Sequence, residues 1–288
     1  MKFHQTCLIC SSPKLKKMTD YKDAFLCKCK KCGFVFSVKI PSQKDLSSFY
    51  DGYGEYEYIS PITIARYNEL LDYFEKYREN NNLLDIGTGT GTFLIEAKKR
   101  GWDVYGTEYG EDKVKLGIQN GIKMADGVLS TLNYTVKFDV ITSFEVIEHI
   151  NNPCNEIENI KNLLRKGGVF YITTPNFNSL SRRYLKNKWQ QIFYPEHLSY
   201  YSVKTLSKVL KDCSLIPIKA KTTGISLTVY KKSKGANISL GNSDDSDDEI
   251  LRNKIETSFV LAIIKDLINS ILSFFRLGDT IKIFAVKK

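Results

Sequence analysis

The sequence predicts an α/β protein, a mostly parallel sheet with crossover helices behind a small cysteine-bearing unit, and three observations lead there. A short apolar run, Leu83-Leu84-Asp85-Ile86, meets glycines at alternate positions, Gly87, Gly89 and Gly91, and then a helix-compatible run from Phe93 to Arg100. That is the pattern of a strand, a tight turn and a helix N-terminus. Beyond it strand-like and helix-like segments alternate, which means parallel strands joined by crossover helices, with ligands at the carboxyl ends of the strands. Five of the seven cysteines, Cys7, Cys10, Cys27, Cys29 and Cys32, stand at the N-terminal end, the arithmetic of a metal site or a disulfide framework.

Composition sets the bounds. A chain of 288 residues with 42% hydrophobic content holds one large α/β domain with a real core and a small appendage. The net charge of +10 is spread along the chain in lysines, so it reads as a solvated basic surface rather than a nucleic-acid groove, and it keeps anionic substrates such as nucleotide sugars in play. Met1 to Pro13 has no apolar core and no cleavage-like site, so it is not read as a secretory signal and a cytoplasmic location is expected. In that compartment paired cysteines favour metal over disulfides.

Residues 1–40 carry Cys7-x-x-Cys10 and Cys29-x-x-Cys32, with Gly33 directly after. Two such knuckles present four thiolates to one tetrahedral ion, which predicts a zinc ribbon with Cys7, Cys10, Cys29 and Cys32 as ligands and Cys27 as a bystander. Four thiolates leave no open position for water or substrate, so the expected role is structural. Residues 41–80 form a linker and lid. The tyrosine-rich run Phe49 to Tyr58 precedes a helix over Ile62–Arg78, whose Ile64, Tyr67, Leu70, Leu71 and Phe74 share one face.

At the glycine turn, exposed amides and missing Cβ atoms favour close approach of a polar ligand. Two details separate it from a dinucleotide fingerprint: Thr92 stands where a third close-packing glycine or alanine belongs, and Asp85 puts a carboxylate where a pyrophosphate would be repelled and an ammonium welcomed. The run resembles motif I of the class I S-adenosylmethionine (SAM) methyltransferases. The resemblance implies a Rossmann-like sheet with an antiparallel last strand, preceded here by the zinc ribbon, and SAM as cofactor at Asp85, Gly87, Gly89 and Gly91.

The second strand, Trp102 to Thr107, is followed by Glu108, a carboxylate placed to accept hydrogen bonds from both ribose hydroxyls of an adenosine. A helix over Glu111–Gln119 and a third strand over Ile122–Ala125 follow, closed by Asp126, which the resemblance sets against the adenine amine. The fourth strand, Phe138 to Phe144, runs into Glu145-Val146-Ile147-Glu148-His149-Ile150-Asn151-Asn152-Pro153. This stretch is similar to the one found in the ubiquinone-type branch of small-molecule methyltransferases, as are Leu164 to Gly168 and Thr173-Thr174-Pro175-Asn176. The resemblance places Phe144 and Glu145 at the methionine end of the cofactor. Glu148 and His149 order that loop or contact substrate. A helix over Asn155–Leu164 and a fifth strand over Gly168–Thr174 complete this part.

An aromatic loop, Trp189 to Ser202, contains Tyr194-Pro195-Glu196-His197 and opens onto a helix over Val203–Lys211. A general base needs a pKa near neutrality and an orienting partner, so His197, oriented by Glu196, helped by Tyr194 and raised in pKa by that carboxylate, is the expected base. Similar Tyr-x-Glu-His runs occur in zinc-ribbon-bearing sugar C-methyltransferases that act on nucleotide-linked keto sugars. A sixth strand over Leu215–Tyr230, a polar and acidic loop over 231–249, an apolar helix over Ile255–Phe275 and a last strand over Gly278–Val286 follow. Lys265 and Asp266 at mid-helix argue against a membrane crossing and for docking on the domain or on a partner subunit.

The reading is therefore a zinc ribbon (1–40), a helical lid (41–80) and a SAM-binding domain (81–288) with an insertion at 231–276, methylating a small molecule, with a sugar as the expected acceptor. A zinc-ribbon RNA methyltransferase is the alternative. Against it stand the absence of an Asn-Pro-Pro-Tyr motif and of a nucleophilic Pro-Cys directly after the fourth strand, since Pro153-Cys154 lies too far on.

Overall fold

The computed structural model describes residues 2–42, 59–127, 129, 134–225 and 258–288. The tyrosine-rich run at 49–58 and the acidic run at 244–249 lie outside them. At the N-terminal end, β1 (Lys2–Phe3) pairs with β5 (Lys39–Ile40), and β2 (Leu15–Lys17), β3 (Leu26–Cys29) and β4 (Val35–Ser37) form an antiparallel meander. The second knuckle turns at Gly33, whose φ of +83° few side chains tolerate and whose amide donates to the Cys29 carbonyl at 2.9 Å. Phe34 and Phe36, both fully buried and stacked with centroids 5.5 Å apart, point from this unit toward the larger domain.

The larger domain starts with α1 (Pro61–Phe74), capped by the Ser60 hydroxyl, which accepts the Thr63 amide. Its buried Leu71 and Phe74 join Leu83, Phe93, Leu94 and Trp102 in one core cluster. The expected helix to Arg78 tightens into a 3-10 turn over Glu75–Tyr77 and stops at Arg78, which is extended. Then come β6 (Asn82–Ile86), α2 (Thr92–Lys99), β7 (Asp103–Glu108), α3 (Glu111–Gln119), β8 (Lys123–Asp126), β9 (Phe138–Phe144), α4 (Pro153–Leu163) and β10 (Leu164–Pro175). They are followed by α5 (Leu180–Leu185), β11 (Ser199–Tyr200), α6 (Val203–Asp212), β12 (Leu215–Thr223), α7 (Phe259–Phe275) and β13 (Thr280–Lys287).

Seven strands order as β12-β13-β10-β9-β6-β7-β8. From β10 to β8 the neighbours are parallel, while β13 is inserted antiparallel to both β10 and β12. The fifth strand begins four residues before the expected Gly168, at Leu164, because an irregular register between Leu164 and Val169 lets the chain pair on both sides of the Gly167-Gly168 turn. The sixth reaches Thr223, where Gly224 turns with φ +81° and gives its amide to the Asn269 side chain, and residues 226–230 of the expected strand lie outside the described residues. Below the sheet the fully buried Asp139 accepts the amides of Glu79 and Asn80 and pairs with Arg165 Nε at 2.5 Å. Removing one partner of such a pair strands a buried charge.

The two units are not side by side but shared. Tyr200 and Ser199 of β11 pair with Val35 and Phe36 of β4, so the meander gains its fourth strand from the aromatic loop of the large domain. Leu198 links both: its carbonyl takes the Ser37 amide and its amide donates to the Glu148 carbonyl, each at 2.8 Å.

Candidate functional site

The glycine turn sits at the carboxyl end of β6. At Gly87, with φ +70°, a Cβ would stand 2.5 Å from Val146 Cγ2, so the turn and the segment after β9 are in contact and only glycine fits. Gly89, with φ +57°, faces open space, which leaves its surroundings free for a ligand. The Gly89 amide donates to Glu108 Oε2 at 2.6 Å and the Tyr109 amide to Oε1 at 2.8 Å. Each carboxylate oxygen keeps a further lone pair for a hydroxyl. Gly91, with φ +79°, caps α2.

Asp85 is buried and accepts the Thr142 hydroxyl at 2.6 Å. Burial pushes its carboxyl well above the usual range, the Thr142 bond opposing and Glu108 adding to the rise. A cation brought to this strand end would reverse that penalty, so the residues fit a ligand with an ammonium group and a ribose. Asp126 lies across from Glu108 in the β7–β8 register and is exposed on the rim. Phe144 stacks edge-on with Phe93, Tyr67 and Tyr171 at 5.1 to 5.8 Å and forms an aromatic wall beneath the site.

Past β9 the backbone twists at Glu145, whose φ of +52° is uncommon for a non-glycine residue and is held by its amide donating to the Thr173 carbonyl and hydroxyl, both at 3.2 Å. Glu145 is an exposed residue, yet protein crowds its carboxyl. Burial pushes it up to about 7, against the pull of Thr173, Glu148 and Lys282. Glu148 is buried, accepts the Thr174 hydroxyl at 2.8 Å, and is raised well above the carboxylate range by burial and by the neighbouring Glu145 charge.

His149 and His197 complete the cluster. The acceptor and ligand atoms of Glu148, His149 and His197 lie within 4.8 Å of one another. His149 Nδ1 is 3.0 Å from the Glu196 carbonyl and His197 Nδ1 is 2.9 Å from the Gln191 carbonyl. A carbonyl only accepts, so both Nδ1 atoms carry the proton, and Nε2 of neutral His197 offers a lone pair.

The structure corrects the expected support for His197. Its ring is fixed by the Gln191 carbonyl, not by the Glu196 carboxylate, and its pKa moves down to about 4, chiefly through burial and then through His149, instead of up. Glu196 reaches the cluster through its main-chain carbonyl on His149. Tyr194 turns the other way, packing edge-on against Phe25 at 5.3 Å with Lys39 Nζ 4.7 Å above its ring. It therefore belongs to the seam between the units, packed against a cluster that joins Tyr21, Leu26 and Val35 of the N-terminal unit to Phe177, Trp189 and Tyr200.

In that unit the sulfurs of Cys7, Cys10, Cys29 and Cys32 lie within 4.8 Å of one another, with Cys7–Cys32 at 3.5 Å and Cys10–Cys29 at 3.6 Å. A tetrahedral zinc with Zn–S bonds of about 2.3 Å has S···S edges of about 3.8 Å, so the donor set fits that ion. Burial pushes the Cys7 thiol up and that of Cys32 to about 11, a cost that a bound cation removes. Cys27 is not in this cluster.

Sequence reasoning brought out the glycine turn, Glu108 and the four cysteines, and the structure sets Glu108 on the turn itself. It left Thr142 and Lys282 unmarked and gave Thr173 and Thr174 no role at the carboxyls. These reach the carboxyls from neighbouring strands, and the registers of β9 against β6, β10 against β9 and β13 against β10 reveal them.

Comparison with known proteins agrees with this geometry. A family model described as a methyltransferase domain matches residues 57–215. The "Ubiquinone biosynthesis O-methyltransferase" of Aliivibrio fischeri (strain MJ11) is 27% identical over 157 residues, 49% of this chain and 64% of that protein. The matched region thus spans less than two thirds of this curated relative. Among solved structures, a phosphoethanolamine N-methyltransferase 2 of Haemonchus contortus in complex with S-adenosyl-L-methionine aligns with TM-score 0.56 and 17% identity, covering 88% of this chain and 61% of that one. A sarcosine dimethylglycine methyltransferase, so titled, from Galdieria sulphuraria aligns with TM-score 0.54 and 16% identity, covering 86% and 99%. At these identities the likeness is one of fold.

Proposed function

The chain belongs to the methyltransferase-domain family, its domain is of the SAM-dependent kind, and we propose that it methylates a small molecule bearing hydroxyls, a nucleotide-linked sugar or related metabolite, with SAM as donor. The observation that carries the reading is the contact between Gly87 and Val146, which sets the cofactor turn directly against the segment that bears Glu145, Glu148 and His149. Asp85, Gly87, Gly89, Gly91 and Glu108 would hold the cofactor, with Asp126 on the adenine rim and Phe144 and Glu145 at its methionine end. The cofactor supplies an electrophilic methyl group, so the protein's own task is mostly alignment.

His197 is the proposed base. It is neutral at pH 7 and presents Nε2 to the acceptor proton. Its low pKa makes the imidazolium costly. Glu196 and Tyr194 support it indirectly, through His149 and through the seam.

Zinc at Cys7, Cys10, Cys29 and Cys32 is proposed as a structural ion that holds β3 and β4 in place for β11. The similarity to an enzyme of ubiquinone biosynthesis favours a small-molecule acceptor over RNA. The test is a methyl-donor assay with SAM and a panel of nucleoside-diphosphate sugars, read by mass spectrometry. A methylated sugar and S-adenosylhomocysteine support the reading; methylation of RNA but of no small molecule overturns it.

A further inference from the structure

α7 is docked inside out. At 3.6 residues per turn, its exposed Val260, Ile263, Ile264, Leu267, Ile268, Ile271, Phe274 and Phe275 fall within one arc of about 140°. The side that meets the domain is the polar one. Asn269 accepts the Gly224 amide at 2.9 Å and the Ser273 hydroxyl accepts the Thr222 amide at 3.3 Å. Among the described side chains of the helix, Leu272 is the buried one beside them, at 5% exposure. A helix folded onto a soluble domain turns its apolar stripe inward, and a contiguous apolar face of this size marks an interaction site.

What surrounds the helix indicates the partner. At its C-terminal end Phe275 and Arg276 border a groove of about 440 Å3 that is also lined by Lys28, Arg182 and Lys204, with no acidic residue among its walls. Arg182 is fixed there, its Nε donating to the Phe177 carbonyl at 2.5 Å and its guanidinium 4.3 Å above the Phe177 ring. Lys28 belongs to β3, Arg182 to α5 and Lys204 to α6. The helix itself lacks a basic face, and the fold supplies one from three other elements.

We propose that α7 lies on an anionic lipid surface, its apolar arc in the headgroup layer and the cations of the groove against lipid phosphates. No helix among the described residues is long and apolar enough to cross a membrane, so the helix lies on the bilayer rather than through it. A second copy of the chain is disfavoured as the occupant, because a net charge of +10 on each copy opposes pairing and is attracted by an anionic bilayer.

Full-length protein is sedimented with vesicles of phosphatidylcholine alone and of equal parts phosphatidylcholine and phosphatidylglycerol. Binding is expected to the anionic vesicles, weakening as salt is raised, with little on the neutral ones. The double variant Leu267→Glu, Phe274→Glu should lose binding at least about tenfold while keeping its thermal unfolding midpoint and SAM affinity. Arg182→Glu with Arg276→Glu should remove the preference for anionic lipid. No binding to either vesicle overturns the proposal, and so does a concentration-dependent dimer, measured by light scattering, that the apolar double variant dissociates. Loss of vesicle binding leaves the methyl-transfer reading standing, because SAM affinity is read separately.

Discussion

The rings of His149 and His197 meet edge to face, 4.8 Å between centroids and 79° between planes, with Glu148 against both. Neither ring carries charge at neutral pH, so the pair is packed as two neutral donors and acceptors. His197→Asn should slow turnover by about 100- to 10,000-fold, the usual range for a positioned base, with SAM affinity nearly unchanged. Stopped assays with the methylated product quantified, beside calorimetry for SAM, check this; near-normal turnover would reduce the loop to packing.

The same burial makes stability depend on acid. The folded His197 pKa of about 4 lies below the unfolded value of about 6.5, so its contribution is complete above pH 6.5 and is lost as pH falls toward 4. The size is about 3 kcal/mol. Urea unfolding of wild type and His197→Phe at pH 7.5 and pH 4.5 should show the wild type losing more stability over that interval than the variant does.

Glu156 has the opposite sign. It is buried in α4 at 7% exposure, and burial raises its carboxyl to about 7, above the unfolded value. Its contribution is whole below the unfolded pKa and is lost as pH rises through 7. Glu156→Gln should therefore stabilise the protein at pH 8 by about 2 to 3 kcal/mol and much less at pH 5. Equal effects at both pH values would show that the carboxyl ionises freely.

Glu108 joins the cofactor turn to its expected ribose contact. Glu108→Ala should weaken SAM binding by roughly ten- to a hundredfold, the worth of hydrogen bonds to a charged group. Glu108→Gln keeps an acceptor oxygen and should lose less. If NAD binds the wild type and SAM does not, the assignment of the turn fails.

Metal analysis of protein purified without added zinc should return one zinc per chain, and Cys29→Ser should lose it together with several degrees of thermal stability. Two disulfides and no metal would refute the site. Because β4 carries β11, the variant should also lose turnover although no cysteine approaches the cofactor turn.

How much of this was legible beforehand depended on distance along the chain. The glycine turn is local: apolar strand, three glycines and helix start are contiguous from Leu83 to Leu94, and β6, its turn and α2 stand where that pattern puts them. The paired knuckles are local too. The partner of His197 was not, since Gln191 offers its main-chain carbonyl, a group that every residue possesses and that no residue identity betrays. The adjacent Glu196 carboxylate was the visible candidate, and burial of the imidazole outweighed whatever charge it contributes. The docking of α7 was equally hidden, because an apolar helix reads the same whether its stripe faces in or out.

The strand shared between β4 and β11 bears on the order of synthesis. The cysteine unit leaves the ribosome early, but the residues that close its sheet, Ser199 and Tyr200, come much later. Until then a nascent chain holds β4 as a bare edge, able to pair with another such edge on a neighbouring polysome. Loading of the metal can precede that closure, yet the meander reaches its four-stranded form only when the histidine loop arrives. Chains broken off between the two would be expected to collect as aggregates, and quality control would see a ribbon without its hem before it ever saw a methyltransferase.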